Sequence, residues 1–172
     1  MALSPTGRVL LAMIRNGRRT GYEIKQLVDV STRFFWAASY GQIYPELKRL
    51  EAAGLIEGED DPTGGRQRRA YSLTPEGEAA LDAWLRSDEE PTYELRDEAL
   101  LKLFFSGDLN KDERLRLLRQ MRERHQSVLD GLRTVEKLAE AAGGAPYMTL
   151  RFGLELHEWA AEWCRKQEAE LR

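Results

Sequence analysis

Apolar residues recur at intervals of three and four over most of the chain, which is the spacing of amphipathic helices. One face of the first such segment carries four apolar side chains, Val9, Leu10, Met13 and Ile14. This segment stops at Asn16-Gly17, a dipeptide typical of helix ends. We predict a first helix that ends there.

Two further helices are predicted from their capping residues. Thr20 with Glu23 three positions later forms a capping box, and the apolar residues that follow keep the helical spacing. Ser39 and Gln42 repeat this device ahead of a third helix that ends at Gly54. Pro45 lies inside this helix, so either its first turn is irregular or its regular part begins near Tyr44.

A short segment after Gly54 changes to the pattern of a β-hairpin. Leu55-Ile56 can begin one strand, Gln67 to Leu73 alternates as a second, and residues 61–65 carry turn chemistry between them. Thr74-Pro75 then opens a fourth helix. Three helices, a hairpin and a helix within about eighty residues predict a winged helix-turn-helix domain over residues 1–88.

The remainder, residues 89–172, is predicted to be entirely helical. A short helix ends at Gly107, and a long one is capped by Asn110 and runs to about Ala142. A turn over residues 143–146 precedes the last helix. The long helix carries a heptad seam made of Leu118, Met121, His125, Val128, Leu132 and Val135. The last helix carries a stripe made of Phe152, Leu156, Trp159 and Trp163.

The seam has two interpretations, an intramolecular bundle or a dimer. A bundle of only three helices around so long a member leaves apolar surface that needs a partner, so we predict a dimerisation domain that uses both the seam and the stripe. The predicted fold class is mainly α with a small β-hairpin.

Charge and composition limit the classes of function that fit this chain. The 172 residues carry a formal charge of −3, yet Lys and Arg outnumber Asp and Glu in the first 75 residues, and the reverse holds afterwards. The single cysteine, Cys164, excludes an internal disulfide. No secretory signal pattern and no apolar run of about 20 residues is present, so we expect a cytoplasmic protein without a membrane partner.

The third helix has the amphipathic character of a DNA-recognition helix. Ile43, Leu47 and Leu50 face inward, and the helix N-terminus at Ser39 offers amide donors to phosphate. The side chains predicted to face DNA are Tyr40, Gln42, Tyr44, Lys48 and Arg49. Tyr22 is a further predicted phosphate contact, although it and Tyr44 can equally be half-buried aromatics.

The hairpin carries a cluster of arginines, Arg66, Arg68 and Arg69, at or just past its tip. Such a cluster is more often a solvated loop. After a helix-turn-helix pattern, however, the same cluster favours contact with the DNA backbone or minor groove, because the local field governs binding more than the net charge does.

Other classes of function are less well supported. The chain has two histidines, one cysteine and no Gly-rich phosphate loop, so we predict neither an enzyme nor a cofactor. His157 and Cys164 share a helix face, but two ligands without a third are weak evidence for a metal site. A winged-helix protein-interaction module without specific DNA binding is the alternative function. Trp159 and Trp163 either pack in the dimer or line an effector pocket.

Four segments together identify a resemblance to the PadR family of bacterial transcriptional regulators: "LLAMIRNGRRTGYEIKQLV", "SYGQIYPELKRLEAAGLI", "GGRQRRAYSLTPEGEAAL" and "RDEALLKLFFSG". The resemblance covers nearly the whole chain and is strongest from Leu10 to Leu81. It implies a homodimer that binds an inverted-repeat operator in double-stranded DNA, usually as a repressor, and that is released by a small, often aromatic effector. The long back half resembles the subfamily with a multi-helix dimerisation domain. Thr20 departs from the family's frequent His.

Overall fold

The computed structural model describes residues 3–61, 68–91 and 93–172, except the side chains of Asp61, Arg68 and Ala142. Two compact units divide the chain, Met1–Pro91 and Thr92–Arg172. The architecture is mainly helical with one two-stranded antiparallel hairpin, which confirms the predicted fold class.

The N-terminal unit has the predicted order of elements. Its helices and strands are α1 (Pro5–Arg15), α2 (Gly21–Val30), α3 (Tyr40–Ala52), β1 (Ile56–Asp61), β2 (Arg68–Leu73) and α4 (Pro75–Leu85). The capping box of α2 is present, since Thr20 Oγ1 accepts from Glu23 N at 3.2 Å and Glu23 Oε2 accepts from Thr20 N at 2.9 Å. These bonds lower the pKa of Glu23, and the bond from the backbone N–H of Thr20 has the largest effect.

The third helix begins at Tyr40, so the regular helix includes the turn before Tyr44 and Pro45 lies within it. It ends where Gly54 takes a φ of +70°, a conformation that side chains with a Cβ rarely adopt. Both ends agree with the predicted cap and stop signals.

The hairpin pairs Ile56 with Leu73 and continues in register to Asp61 opposite Arg68. The predicted start of the second strand, Gln67, lies outside the described residues. The turn before α2 adds to this sheet, because Thr20 bridges Ala70 and Arg19 O accepts from Tyr71 N at 2.7 Å. The hairpin is thereby joined to the base of α2.

One apolar core holds the N-terminal unit together. Its fully buried side chains come from every helix and from β1: Leu10, Leu11, Ile24, Val28, Ile43, Leu47, Leu50, Ile56 and Leu81. Gly77 lets α4 approach the hairpin base, since a Cβ there would lie 1.9 Å from the carbonyl oxygen of Leu55. Within this unit α3 packs against α1, α2 and β1.

The C-terminal unit contains α5 (Glu98–Phe104), α6 (Lys111–Ala142) and α7 (Gly144–Glu170). The predicted four-residue turn is too long, because α7 begins at Gly144 and Pro146 lies in its first turn. A proline there costs little, since first-turn amides have no partner within the helix. Gly143 and Gly144, with φ values of +66° and +67°, reverse the chain.

The heptad seam of α6 faces α7 of the same chain. Leu118 and Met121 are buried in one cluster with Cys164, and Leu132 packs on Gly153. Near the end of α7, Arg122 Nε donates to the buried carboxylate of Glu168 at 2.7 Å. Val128 and Val135 are half-buried. The structure thus has the intramolecular packing that was one of the two interpretations of the seam.

The stripe on α7 divides into exposed and packed parts. Phe152 and Trp159 are about two-thirds exposed, at 69% and 64%, and Leu156 is also exposed. Trp163 packs against the cluster around Leu118, so the two tryptophans of the predicted effector pocket have different surroundings. None of the helices described is both long and apolar enough to cross a membrane.

Candidate nucleic-acid interface

The outer face of α3 is polar and aromatic where the inner face is apolar. Ile43, Leu47 and Leu50 are fully buried, as the spacing predicts. Their burial turns the opposite face outward, and its exposed side chains include Ser39, Tyr40, Gln42, Tyr44 and Lys48. Of the side chains predicted to face DNA from this helix, Arg49 is the one that is half-buried.

Two of these tyrosines stack, and a third lies beside them on α2. The rings of Tyr40 and Tyr44 are 6.0 Å apart between centroids at an interplanar angle of 17°. Tyr44 lies against Gly21, where a Cβ would come within 2.8 Å of its ring. Tyr22 follows Gly21 and is 49% exposed, with its hydroxyl accepting from Gln26 Nε2 at 2.9 Å. The N-terminus of α2 and the first turns of α3 thus form one surface.

Lys25 belongs to this surface although the sequence analysis did not select it. Its ammonium lies 5.6 Å from the centroid of the Tyr40 ring, within cation–π range. It also pairs with Asp29 one turn along α2. No local pattern reveals this position, because the contact joins two different helices.

The N-terminus of α3 uses part of Gln42 as a cap. Gln42 Oε1 accepts from Ser39 N at 3.0 Å and from Ser39 Oγ at 3.2 Å. These bonds use only the oxygen of the Gln42 side chain. Its NH₂ group is a hydrogen-bond donor, and base edges in the major groove offer acceptors for such a donor. Bidentate pairing with adenine, which also needs the oxygen, would require this cap to open.

Arg49 is held by the domain itself. Its guanidinium donates to both carboxylate oxygens of Glu46, with Nε to Oε2 at 2.8 Å, and Ser4 Oγ donates to the same carboxylate. The hydrogen bonds from Arg49 lower the pKa of Glu46 most, and the hydrogen bond from Ser4 lowers it further. Glu46 therefore links α3 to the N-cap of α1 through Ser4, and Arg49 orients the Glu46 carboxylate from within α3.

The predicted wing arginines are only partly described. Arg66 lies outside the described residues, and so does the side chain of Arg68. Arg69 is described, and its guanidinium pairs with Glu51 at the end of α3 and with Asp60 on β1, the latter at 3.1 Å. Its positive charge is thus shared with two carboxylates.

A basic doublet ahead of α2 is the second feature that the sequence analysis passed over. Arg18 and Arg19 are exposed and immediately precede the Thr20 cap. The carbonyl of Arg19 accepts from the backbone N–H of Tyr71 on β2. This bond places the two arginines between the hairpin and the surface of α2 and α3 that carries the three tyrosines. The motif "GRRTGY" was a signal for these residues.

A helix-turn-helix with an exposed polar α3, followed by a hairpin, defines a winged-helix DNA-binding class of protein. Residues 10–83 match the Transcriptional regulator PadR-like family, and residues 95–172 match the family described as Virulence activator alpha C-term. The chain belongs to the PadR-like family of transcriptional regulators, in agreement with the resemblance seen in its motifs.

A curated relative and two solved structures of the same relative support this membership. The Negative transcriptional regulator PadR of Bacillus subtilis is 30% identical over 146 residues, which cover 84% of this chain and 80% of the relative. Bacillus subtilis PadR in complex with operator DNA matches with a TM-score of 0.86 and 26% identity, over 96% of both chains. The same protein in complex with p-coumaric acid matches with a TM-score of 0.78 and 27% identity, over 95% and 96%.

Proposed function

We propose that this protein is a homodimeric transcriptional repressor that reads an inverted-repeat operator with α3 and is released by a small aromatic effector. Regulation of transcription, rather than catalysis, is its role, and it acts in the cytoplasm where DNA is accessible. The observation that carries the proposal is the shared surface of α2 and α3, on which three tyrosines and Lys48 stay exposed beside a fully buried apolar face.

The exposed aromatics on this surface favour recognition over simple packing. Each tyrosine keeps between 43% and 49% of its surface accessible, and each carries a hydroxyl that can donate to phosphate. In the proposal, Tyr40, Gln42 and Lys48 lie closest to the bases. Phosphate contacts come from Tyr22, Tyr44 and the amides at Ser39, with Arg66 and Arg68 of the wing on the flanking backbone.

The C-terminal unit supplies the dimer in this proposal. Large apolar side chains remain exposed along α7, chiefly Phe152, Leu156 and Trp159, whereas Leu118, Met121 and Leu132 of the seam are covered by α7 itself. We assign the first set to direct contact between protomers. The seam, including His125, Val128 and Val135, supports that contact by holding α6 against α7.

The effector is assigned by likeness to a relative. Bacillus subtilis PadR has been solved with p-coumaric acid, and planar phenolic acids stack well on aromatic walls. Trp159 is the exposed candidate for such a wall, and Trp163 is its packed neighbour one turn away. Release would follow from differential affinity of the effector for two separations of the recognition helices.

Fluorescence anisotropy on the DNA upstream of the protein's own gene tests this function. We expect tight, salt-sensitive binding to that duplex, weaker binding to an unrelated duplex of equal length, and loss of the difference when p-coumaric acid is added. Equal weak binding to both duplexes would contradict sequence-specific recognition at this locus. No binding to either duplex at low salt would favour a protein-interaction module.

A further inference from the structure

We propose that Arg69 is a positioning residue that clips the wing to the recognition helix, and that Glu51 is its principal partner. The inference rests on the proposed DNA-binding function. It changes the role of Arg69 from the phosphate contact expected from its place in the arginine cluster to a link between β2 and α3.

The contacts of Arg69 span three elements. From β2, its guanidinium reaches Glu51 in the last turn of α3, and its Nη1 donates to Asp60 Oδ1 of β1 at 3.1 Å. Asp60 is also its direct cross-strand neighbour in the hairpin register. A side chain that satisfies two carboxylates on two other elements fixes their relative placement, because its forked donors are directional.

Gly58 gives this interpretation independent support. It lies inside β1, where glycine weakens a strand and commonly marks a close approach. A Cβ at this position would lie 2.5 Å from Arg69 Nε and 2.7 Å from Glu51 Oε1. The ion pair therefore crosses directly over the strand backbone at a position that has no side chain to obstruct it.

The surroundings of the clip distinguish it from a surface ion pair formed at random. Tyr71, next but one to Arg69 on β2, is only 5% exposed, and Glu51 retains 28% of its side-chain surface. Burial, and next the negative charge of Glu51, raise the pKa of Tyr71. The clip thus lies on the same face of β2 as the buried Tyr71.

The two roles of Arg69 predict opposite effects for Glu51→Ala. If Arg69 contacts phosphate, removal of a competing carboxylate releases it and strengthens binding to every duplex. If Arg69 is a clip, Glu51→Ala loosens the wing and lowers the ratio of affinities for upstream and unrelated DNA. We expect this ratio to fall roughly three- to fivefold, the range for a partly exposed ion pair.

The experiment measures this ratio, and the salt dependence of binding, in the whole chain, in three single variants and in one double variant. Arg69→Ala and Glu51→Ala are expected to lower the ratio alike and to leave the salt slope unchanged. The exchanged pair Arg69→Glu with Glu51→Arg should restore part of the ratio. Arg86→Ala is the matched control, because Arg86 pairs with Asp82 on α4 at 3.1 Å, away from the hairpin.

A decrease in the salt slope of about 0.9 for Arg69→Ala, together with tighter binding of Glu51→Ala, would overturn the clip. Hydrogen exchange of the β1 and β2 amides without DNA provides the separate readout. Faster exchange in both variants supports the clip even if the wild-type protein shows no preference for upstream DNA, an outcome that would count against the proposed function alone. Unchanged exchange in both variants would overturn the clip.

Discussion

Tyr44 lies directly over Gly21, so close that a single added methyl group on α2 would meet its ring at 2.8 Å. This contact joins the two helices of the helix-turn-helix on their exposed side, whereas the apolar core joins them on the buried side. It also fixes where the Tyr44 hydroxyl points. We therefore expect the proposed recognition surface to depend on Gly21, a residue that has no side chain.

Gly21→Ala is expected to displace Tyr44 and weaken operator binding without unfolding the domain. The loss should be roughly three- to tenfold, the equivalent of one hydrogen bond. Stability should change little, because alanine is the better helix former and Tyr44, which is 46% exposed, can move towards solvent. Anisotropy and thermal unfolding measure the two effects.

Gly131→Ala is the matched control, since a Cβ at Gly131 meets nothing within 4 Å. The same loss of affinity in both variants would show that the Tyr44 contact is irrelevant to binding.

The proposed role of Arg66 and Arg68, whose side chains lie outside the described residues, predicts how DNA binding depends on salt concentration. Removing both with Arg66→Ala and Arg68→Ala should weaken binding to all duplexes and reduce the salt slope by about 0.9 for each lost phosphate contact. The measurement is the dissociation constant over a range of salt concentrations. An unchanged slope would remove these two residues from the interface.

A pair of histidines packed between α6 and α7 predicts that the stability of the C-terminal unit depends on pH. The Nδ1 atoms of His125 and His157 are 2.9 Å apart between α6 and α7, so that one ring donates and the other accepts while both are neutral. Burial lowers both pKa values, and Arg124 adds to this, while Asp97 opposes it at His125. The unfolded chain therefore binds more protons than the folded chain below the ordinary histidine pKa of about 6.5.

Stability of this unit should accordingly fall as the pH drops below about 6.5 and stay constant above that value. Urea unfolding followed by tryptophan fluorescence at pH 7.5 and 5.5 measures the change. The variant His125→Asn with His157→Asn should lose the dependence over this interval. An identical dependence in the double variant would assign it to other groups.

The C-terminal unit has an exposed apolar stripe and a buried apolar seam, and a charge introduced into each should have a different effect. Phe152→Glu, on the exposed stripe, should give a folded monomer. Leu132→Glu, on the seam beneath α7, should instead lower the free energy of unfolding by roughly 2–5 kcal/mol from lost packing alone. Sedimentation equilibrium and urea unfolding separate the two outcomes.

Leu138→Glu serves as the control, because Leu138 is 77% exposed on α6 and lies outside both sets. Sedimentation of the Phe152 variant as an intact dimer would refute the assigned surface.

Local signals explain why so much of the fold was predictable. Thr20 and Asn110 accept from amides three positions away, and Ser39 donates to Gln42 three positions away, so these helices begin where the sequence indicates. Gly54 likewise ends α3 through its own conformation. The turn at residues 143–146 was overestimated because a proline in the first turn of a helix has the same sequence signature as a proline in a loop.

Contacts between elements explain what could not be predicted. The heptad seam established that α6 needs a partner, but an apolar repeat does not specify whether the partner is α7 or a second chain. In the sequence, Arg69 is one member of a basic cluster. Only the register of the hairpin brings its side chain close to Glu51 and Asp60. Lys25 meets Tyr40 only once α2 and α3 have packed.

Footprinting of the wild-type protein on the DNA upstream of its gene tests the central claim most directly. Two winged-helix units related by two-fold symmetry should protect two patches on one face of the duplex, separated by about 10 base pairs or a multiple of this distance. The patches should lie on an inverted repeat and fade together as salt rises. Protection without fixed positions, or a single patch at every protein concentration, would contradict a dimer that reads sequence.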